Sequence, residues 1–432
     1  MIVLLPNCGF LSETSRMLAI ARALEARGVP ASIASHGGPY AHLLDEAGVA
    51  WTRLDPPMES EAASAFLEGV LSMGTDNRPF FSDAFIRAAV RAEAAHFASV
   101  GATLAVIGFN LTSYLSSRVA GIPLAASHGG SFLPPVAERA LFPMPVNPPR
   151  PMPSWMPAFV RKKLVHTIPF LVKAPLAGLN RVAAELGVEQ LPSLMALMCA
   201  DLTLVTELPE VLGISRAEMD AWRPRGRRLW PSTRMRYAGP LFARLDRPIP
   251  ERVERFLAAS GSVVYVAPTS VRAPFLRTLV PAVRAAGARV LVGSTIHDVR
   301  DLEADDVLVE GVLPNHLVMP RVAAAVIMGG QGSVQTAMAS GTPFVGMPYH
   351  GEQELNVALA ERQGMALRLS PKAAATEAMT AAVRRLLAEP AFRASAARMQ
   401  QLYAGVDGAA AAADAIIAFT AATKRSPAAA SA

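Results

Sequence analysis

Short apolar runs alternate with amphipathic stretches along the first 240 or so residues of the chain. Residues 2–5 form an apolar run typical of a buried strand, and residues 14–27 carry apolar side chains at helical spacing that ends at Gly28. Residues 31–34 are strand-like again, and the same pattern recurs at residues 103–108, 123–126 and 202–206. Strands separated by helices predict a doubly wound parallel sheet.

A second series of the same kind follows a segment rich in proline and glycine that begins at Tyr237. A helix is predicted over residues 275–286, with strands at residues 262–266, 289–292, 307–309, 323–327 and 344–346. The intervening segment has the composition of a domain linker. The sequence therefore predicts an α/β protein with an N-terminal domain over 1–238, a linker over 239–252, a second domain over 253–405, and a C-terminal helix with a small-residue tail over 406–432.

Residues 131–175 interrupt this alternation, because they are rich in proline, methionine and aromatic side chains. Such a segment is typical of a loop that covers an active site or faces a partner. Within it, residues 155–164 combine aromatic and apolar side chains with the basic run 161–163. Three interpretations stay open for this stretch: a membrane-surface contact, an acceptor lid, or the packed start of a helix.

Composition and charge favour a protein with large buried cores and argue against nucleic-acid binding. The 432 residues are 52% apolar and 18% charged, which supports large buried cores in both domains. The net charge is +6, and basic residues cluster at 161–163 and again at Arg223, Arg225, Arg227 and Arg228. We interpret these clusters as solvated surface, because one short basic segment is not the extended basic face that nucleic-acid binding requires.

The two cysteines, Cys8 and Cys199, are too few for a disulfide framework or a zinc site. Their scarcity, the uncharged N-terminus and the absence of an apolar run of roughly 20 residues favour a cytoplasmic protein without a signal peptide or membrane span. We expect no metal and no cofactor, and a monomer or a homodimer.

The most informative stretch is residues 323–358, in which a buried strand leads into Gly329, Gly330, Gln331, Gly332 and Ser333 at the start of a helix. A helix start presents unpaired backbone N–H groups and a positive dipole end, so it binds anions such as a diphosphate. Ser333 is expected to cap this helix and to donate to phosphate. Taken alone, the loop is also compatible with a simple tight turn.

The segment that follows adds polar groups at the end of the next strand. That strand ends at Pro348 and is followed by His350, Gly351, Glu352 and Gln353. A carboxylate beside a carboxamide suits the vicinal hydroxyls of a sugar, at the edge where open α/β sheets bind ligands. The alternative is that Glu352 only stabilises the start of a helix.

The ordered set resembles the donor-binding motif of GT-B glycosyltransferases of the UDP-glycosyltransferase type. The matching positions are Gly329, Gly330, Gly332, Ser333, Gly341, Pro343, Pro348, Glu352, Gln353 and Asn356. The resemblance implies two Rossmann-like domains facing a cleft, an inverting and metal-independent reaction, a nucleoside-diphosphate sugar as co-substrate, and a small acceptor bound by the N-terminal domain. It further implies contacts to the base from Leu313 and Asn315, to the diphosphate from Thr269, Ser270, Gly330, Gly332 and Ser333, and to the sugar from Glu352 and Gln353.

Two positions of the donor motif depart from the family pattern. Met328 stands where the family has a histidine that donates to phosphate, so His350 or Gln331 is the expected substitute. Thr336 stands where a glutamate often binds both ribose hydroxyls, which resembles relatives that use thymidine diphospho-deoxysugars. Both a dTDP-sugar and a UDP-sugar remain open.

The first loop also lacks the family's catalytic histidine, and Glu13 falls at that position. A carboxylate can act as general base. Alternatively, Ser12 caps the first helix and Glu13 merely favours its first turn. His128 and His36, each after a strand, are the other candidate bases.

We therefore expect a glycosyltransferase acting on a small apolar or secondary-metabolite acceptor. The alternatives are a catalytically inactive nucleotide-sugar binding protein of the same fold, a transferase with a lipid-linked acceptor, and a GT-B enzyme with other chemistry such as epimerisation.

Overall fold

The computed structural model describes residues 1–71, 78–148, 152–153, 155–245, 247–268, 273–294 and 298–425. The chain divides into two compact units. The first comprises Met1–Phe142, Arg150–Leu241 and Asp407–Ala432, and the second comprises Pro143–Pro149 and Phe242–Val406. The main division lies inside the predicted linker, whereas the C-terminal helix belongs to the first unit and the short segment 143–149 belongs to the second.

The described residues of the first unit form a seven-stranded parallel sheet with the order β3-β2-β1-β4-β5-β6-β7. Its strands are β1 Ile2–Leu5, β2 Ala31–Ser35, β3 Trp51–Arg53, β4 Leu104–Ile107, β5 Leu124–His128, β6 Leu202–Val205 and β7 Arg234–Tyr237. Its helices are α1 Leu11–Glu25, α2 His42–Glu46, α3 Ser60–Leu71, α4 Asp83–Ser99, α5 Ser113–Val119, α6 Pro134–Glu138, α7 Ala158–Thr167, α8 Ala177–Glu185, α9 Pro209–Leu212, α10 Arg216–Ala221 and α18 Gly408–Arg425.

The second unit contains, among its described residues, a six-stranded parallel sheet with the order β10-β9-β8-β11-β12-β13. Its strands are β8 Val263–Val266, β9 Arg289–Gly293, β10 Val307–Glu310, β11 Ala324–Ile327, β12 Phe344–Gly346 and β13 Ala366–Arg368. Its helices are α11 Glu251–Ala258, α12 Ala273–Arg284, α13 Asn315–Val318, α14 Gln331–Ser340, α15 Gly351–Arg362, α16 Glu377–Ala388 and α17 Pro390–Tyr403.

Helix α1 shows how the apolar pattern becomes a core. Met17, Ile20 and Leu24 lie at helical spacing, are fully buried, and share one cluster with the strand residues Ile2 and Leu4. Residues of α18 complete the same cluster, which is why the C-terminal helix packs in the first unit. Its buried members there are Ala412, Ala413 and Ile416.

The sequence patterns locate the central strands but miss three others. The predicted strands agree with the structure to within one or two residues, and residues 344–346 agree fully. β3, β7 and β13 were not predicted, and each is the last strand at an edge of its sheet. These three edge strands are only partly buried, as the alternating exposed and buried side chains of β7 show, so they carry no continuous apolar run.

Two predictions about local structure are wrong. Helix α1 begins at Leu11 with Phe10 as its N-cap residue and without a side-chain cap, so Ser12 lies inside the helix rather than capping it. Residues 131–175 are not simply a loop, because they contain α6 and α7 together with short 3₁₀ helices.

No single helix in the described ranges is long and apolar enough to cross a membrane. One bent pair, Pro390–Tyr403 with Gly408–Thr423, passes that test on length and composition alone.

Candidate functional site

The carboxyl ends of β1 and β4 mark the point in the first sheet where strand order reverses, because β2 and β3 lie on one side of β1 and β4 to β7 on the other. Open parallel sheets bind ligands at such points. Helix α1, which follows β1, is hydrogen-bonded here to the ends of β4 and β5, and two of the predicted catalytic side chains lie on α1 and β5.

Glu13 lies in the first turn of α1 and is nearly buried, with 7% of its surface exposed. The backbone N–H of Phe109 donates to its Oε2 at 2.8 Å, and Arg16 Nη1 lies 3.4 Å from its Oε1. The carboxylate also packs against Gly108, where a Cβ atom would come within 1.4 Å of Oε2. Glu13 is therefore held in one orientation as a charged acceptor at the end of β4.

Arg16 connects this carboxylate to the end of β5. Its Nη1 donates to the carbonyl oxygen of Ser127 at 2.8 Å, and the side chain is buried. Arg16 is not among the predicted site residues, although its spacing of three residues from Glu13 on one helix is a recognisable signal for an ion pair. Arg16 thus contacts both the carboxylate of Glu13 and the backbone next to His128.

His128 ends β5 and is buried. Its Nε2 lies 3.3 Å from the hydroxyl oxygen of Tyr114, which in turn donates to the carbonyl oxygen of Leu197. The tyrosine proton is therefore committed, so Nε2 of His128 is the donor and Nδ1 carries the lone pair. Burial, assisted by the charge of Arg16, lowers the pKa of His128 to about 3, so the ring is neutral near pH 7.

His36 is held differently, at the end of β2. Its Nδ1 lies 2.9 Å from the carbonyl oxygen of Pro56, and its Nε2 lies 3.1 Å from Oε1 of Glu93. Both ring nitrogens thus face protein acceptors, and neither is turned toward the space where a substrate would bind. This geometry favours a structural role for His36 over that of a base.

Glu93 is the centre of a fully buried polar cluster on α4. Besides His36, its carboxylate accepts hydrogen bonds from four side chains that follow β4, namely Asn110, Thr112, Ser113 and Ser116. Burial alone would raise the pKa of Glu93, but the hydrogen bonds from His36, Ser116 and Thr112 hold it below its ordinary value. The cluster, which sequence reasoning missed, fixes the loop whose Phe109 N–H holds Glu13.

Acid should destabilise the protein through His128. Folding lowers its pKa from 6.5 to about 3, so the unfolded chain binds an additional proton between these pH values. We expect the free energy of unfolding to fall as the pH drops from about 6.5 toward 3. Urea unfolding at several pH values would measure this slope, which should be shallower in His128→Asn and unchanged in the surface control His42→Asn. Equal slopes in all three proteins would contradict the assignment.

In the second unit, strand order reverses between β8 and β11, and the glycine-rich loop follows β11. Gly329 has φ +91°, and a Cβ there would come within 2.5 Å of Val357 Cγ2, so both backbone conformation and packing require glycine. Asn356 Nδ2 donates to the Gly329 carbonyl oxygen at 3.0 Å and to Glu352 Oε1 at 2.5 Å. Helix α15 thereby holds the loop in place.

Helix α14 begins directly after this loop. Gly330 is its N-cap residue and no side chain caps it, so the predicted capping role of Ser333 is wrong. The first intrahelical hydrogen bond runs from Val334 N–H to the carbonyl oxygen of Gly330, so the amides of Gly332 and Ser333 precede it. Gly330 and Gly332 have open space where a Cβ would lie. This helix start has room for an anion.

Several predicted donor residues are buried rather than presented at the loop. The side chain of Met328 packs in the hydrophobic core of the unit, and Leu313 is buried as well. Thr336 is buried, and its hydroxyl donates to the carbonyl oxygen of Gly332 at 2.7 Å. The side chain of Asn315 accepts a hydrogen bond of 2.7 Å from the buried hydroxyl of Tyr265.

The polar residues after β12 lie at the start of α15. His350 is its N-cap residue, and burial lowers the pKa of this imidazole to about 4, so it is neutral near pH 7. Gln353 accepts a hydrogen bond of 2.8 Å from the backbone N–H of Tyr349, and Glu352 is half-buried in the first turn. Because Asn356 contacts both Gly329 and Glu352, the two parts of the predicted donor motif lie side by side. Thr269 and Ser270 lie outside the described residues.

Within the described residues, no group of three or more histidine, cysteine, aspartate and glutamate side chains has the arrangement of a metal site.

Comparison with known proteins shows which proteins this chain is similar to. Residues 215–405 match the family described as UDP-glucoronosyl and UDP-glucosyl transferase. Among curated proteins, 4'-demethylrebeccamycin synthase of Lentzea aerocolonigenes is 36% identical over 154 residues, which cover 35% of this chain and 37% of that protein. Glycosyltransferase GtfE of Amycolatopsis orientalis is 31% identical over 177 residues, covering 40% and 42%. The matched segments thus span less than half the length of either relative.

Among solved structures, glycosyltransferase VinC in complex with DTDP aligns with a TM-score of 0.66 at 17% identity, covering 98% of this chain and 100% of that one. The protein therefore has the GT-B fold, as the sequence resemblance predicts.

Proposed function

We propose that this chain is an inverting, metal-independent glycosyltransferase that moves a sugar from a nucleoside-diphosphate sugar to a small apolar or secondary-metabolite acceptor. The observation that carries the proposal is the joined site of the second unit, in which Asn356 ties the Gly329 loop to Glu352 at the start of α15. The family match over residues 215–405 and the names of the relatives support the same reaction.

The diphosphate is proposed to bind at the start of α14. The amides of Gly332 and Ser333 precede the first intrahelical hydrogen bond, and the absence of a Cβ at Gly330 and Gly332 lets phosphate oxygens approach the backbone. As the bond to the sugar breaks, negative charge grows on the diphosphate, and fixed amides with a helix dipole stabilise it. In such a site the backbone amides donate the hydrogen bonds to phosphate that the side chain of Met328 cannot donate.

The sugar is proposed to bind Glu352 and Gln353. Glu352 offers a carboxylate in the first turn of α15, and Gln353 is oriented by the Tyr349 N–H on its Oε1, which leaves its amide nitrogen as the donor. Asn315 and Leu313 are proposed to border the base. The DTDP bound in VinC and the absence of a glutamate at position 336 favour a thymidine nucleotide, with a uridine nucleotide as the other candidate.

The acceptor is proposed to bind in the first unit, where Glu13 acts as general base. Its carboxylate is charged, oriented by Phe109 and Arg16, and placed at the switch point of the sheet. His128 is the second candidate, and its neutral ring offers Nδ1 as an acceptor. Its strongly lowered pKa makes it a weak base at neutral pH.

Replacing Gly332 by Asp tests the diphosphate site without damaging the fold. A Cβ at this position meets no atom within 4 Å, and a carboxylate in the first turn of a helix stabilises that helix. We expect the thermal midpoint to stay or rise, and the affinity for dTDP and UDP to fall at least about tenfold, because the new charge repels the diphosphate. Gly332→Asn, which has the same shape without charge, is the control. Normal nucleotide binding by Gly332→Asp would exclude this helix start as the site.

Turnover separates a transferase from a binding protein of the same fold. Incubation with dTDP- and UDP-sugars should release nucleotide slowly even without acceptor, and faster with one. Nucleotide binding without any release of sugar, whatever acceptor is offered, would favour a catalytically inactive binding protein. The observation that favours this second function is the buried Met328, which stands where the family has a histidine that donates to phosphate.

A further inference from the structure

A surface cavity of about 600 Å³ in the first unit lies away from any role assigned above. It is bordered by α6, by α7 and by the segment that follows α10. Its lining includes the aromatic side chain Phe159, the acidic Glu138, and four cationic side chains, Lys162, Lys163, Arg225 and Arg228. The two basic clusters that are separate in the sequence therefore converge on one cavity.

The cavity carries an excess of positive charge. Glu138 is the acidic residue of the lining, and its Oε2 already accepts a hydrogen bond of 2.9 Å from Trp222 Nε1. In the part of the chain that the structure describes, the side chains of Lys162, Lys163, Arg225 and Arg228 form no ion pair, unlike such arginines as Arg87, Arg118, Arg139, Arg181 and Arg236. Four cations held around one concave surface attract an anion.

Helix α7 presents its cavity-lining residues on one face. Phe159, Lys162, Lys163 and His166 are spaced at i, i+3, i+4 and i+7, which brings them to the same side. His166 anchors this helix, because its Nε2 accepts the Phe142 N–H at 3.1 Å and its ring stacks on Phe142 at 5.5 Å between centroids. His166, near the C-terminal end of α7, is buried, whereas Phe159, Lys162 and Lys163 are exposed.

The stretch of chain that carries Lys162 and Lys163 also exposes large apolar side chains to water. Trp155 is 80% exposed and Phe159 is 74% exposed, and Ile168 and Leu171 are also exposed within the same stretch of 17 residues. A soluble anion would be bound by the cations alone, and the exposed apolar side chains would contribute nothing to its affinity. A bilayer surface offers both partners, with phosphate groups for the cations and an apolar interior for the aromatic rings.

We propose that this face of the first unit docks on an anionic lipid bilayer, with lipid phosphates held by Lys162, Lys163, Arg225 and Arg228 and with Trp155 and Phe159 inserted at headgroup level. The inference is independent of the transferase activity proposed above, because every residue involved lies outside the donor site.

Sedimentation of the full chain with vesicles tests the proposal. We expect binding to vesicles of phosphatidylcholine mixed with phosphatidylglycerol, weak binding to phosphatidylcholine alone, and release as salt is raised. Lys162→Ser with Lys163→Ser should lower the partition coefficient by about fivefold per cation. Trp155→Ser with Phe159→Ser, at unchanged charge, should lower it on the order of tenfold or more.

A matched control changes an exposed lysine and an exposed apolar residue of the second unit, Lys372→Ser with Leu402→Ser, and should bind vesicles normally. Circular dichroism would verify that all variants are folded. Equal binding to neutral and anionic vesicles, or normal binding by the lysine variant, would overturn the proposal. So would binding of inorganic phosphate in this cavity by a protein that does not sediment with anionic vesicles, since the ligand would then be a soluble anion.

Discussion

Replacing Glu13 by Gln is expected to lower kcat for glycosyl transfer by ~10²- to 10⁴-fold, the range over which a positioned base accelerates a reaction. Glutamine keeps the shape and can still accept the Phe109 N–H, but it cannot take the acceptor's proton. Nucleotide affinity should be unchanged, because the proposed donor site lies in the second unit. The loss should therefore appear in kcat at saturating donor, measured by release of nucleotide diphosphate.

The same substitution also removes the charge next to Arg16, so a purely structural role must be excluded. Glu25→Gln, on the exposed last turn of the same helix, is the matched control and should be fully active. If Glu13 only anchors the helix, Glu13→Gln will lower the unfolding midpoint while kcat stays near that of the wild type. A variant with unchanged kcat would transfer the role of base to His128, and His128→Asn would then show the loss.

Replacing Glu93 by Ala is expected to destabilise the first unit by ~3–5 kcal/mol, as when one partner of a buried pair is removed. The loss leaves the imidazole of His36 and four further polar side chains without their common acceptor in a dry interior. Glu93→Gln, which preserves volume and one carbonyl acceptor, should lower the free energy of unfolding by less. Glu189→Ala, a change of the same kind at an exposed position, should cost almost nothing.

Tryptophan fluorescence would report this loss selectively. All four tryptophans, Trp51, Trp155, Trp222 and Trp230, lie in the first unit, so the unfolding midpoint in urea followed by fluorescence belongs to that unit. The second unit can be followed separately by its stabilisation with nucleotide. If Glu93→Ala unfolds at the wild-type urea concentration, the polar cluster contributes nothing to stability.

The central parts of both sheets could be predicted from the sequence because each buried strand is a continuous apolar run. Residues 344–346 illustrate this, since all three are buried and the predicted limits are those observed. β13 could not be predicted, because two of its three residues are only half-buried at a sheet edge. The start of α1 was also missed, since Phe10 serves as N-cap residue without any side-chain cap that a sequence would reveal.

The candidate donor site was predictable as an ordered motif, whereas the surroundings of Glu13 were not. Gly329 and Asn356 are 27 residues apart and recognisable in sequence, and their contact follows from two adjacent strands. By contrast, Glu13 is held by the backbone N–H of Phe109, 96 residues away, and any residue except proline offers that group. Tertiary contacts made by backbone atoms leave no trace in residue identity.

The return of α18 to the first unit has a consequence for biosynthesis. Ala412, Ala413 and Ile416 are fully buried in the cluster that contains Met17 and Leu24, and Arg27 forms an ion pair with Asp414 at 2.6 Å. A ribosome delivers this helix only after the whole of the second unit has emerged. The unit whose strands are translated first is thus completed only after the second unit has been synthesised, and part of its core stays uncovered until α18 is released.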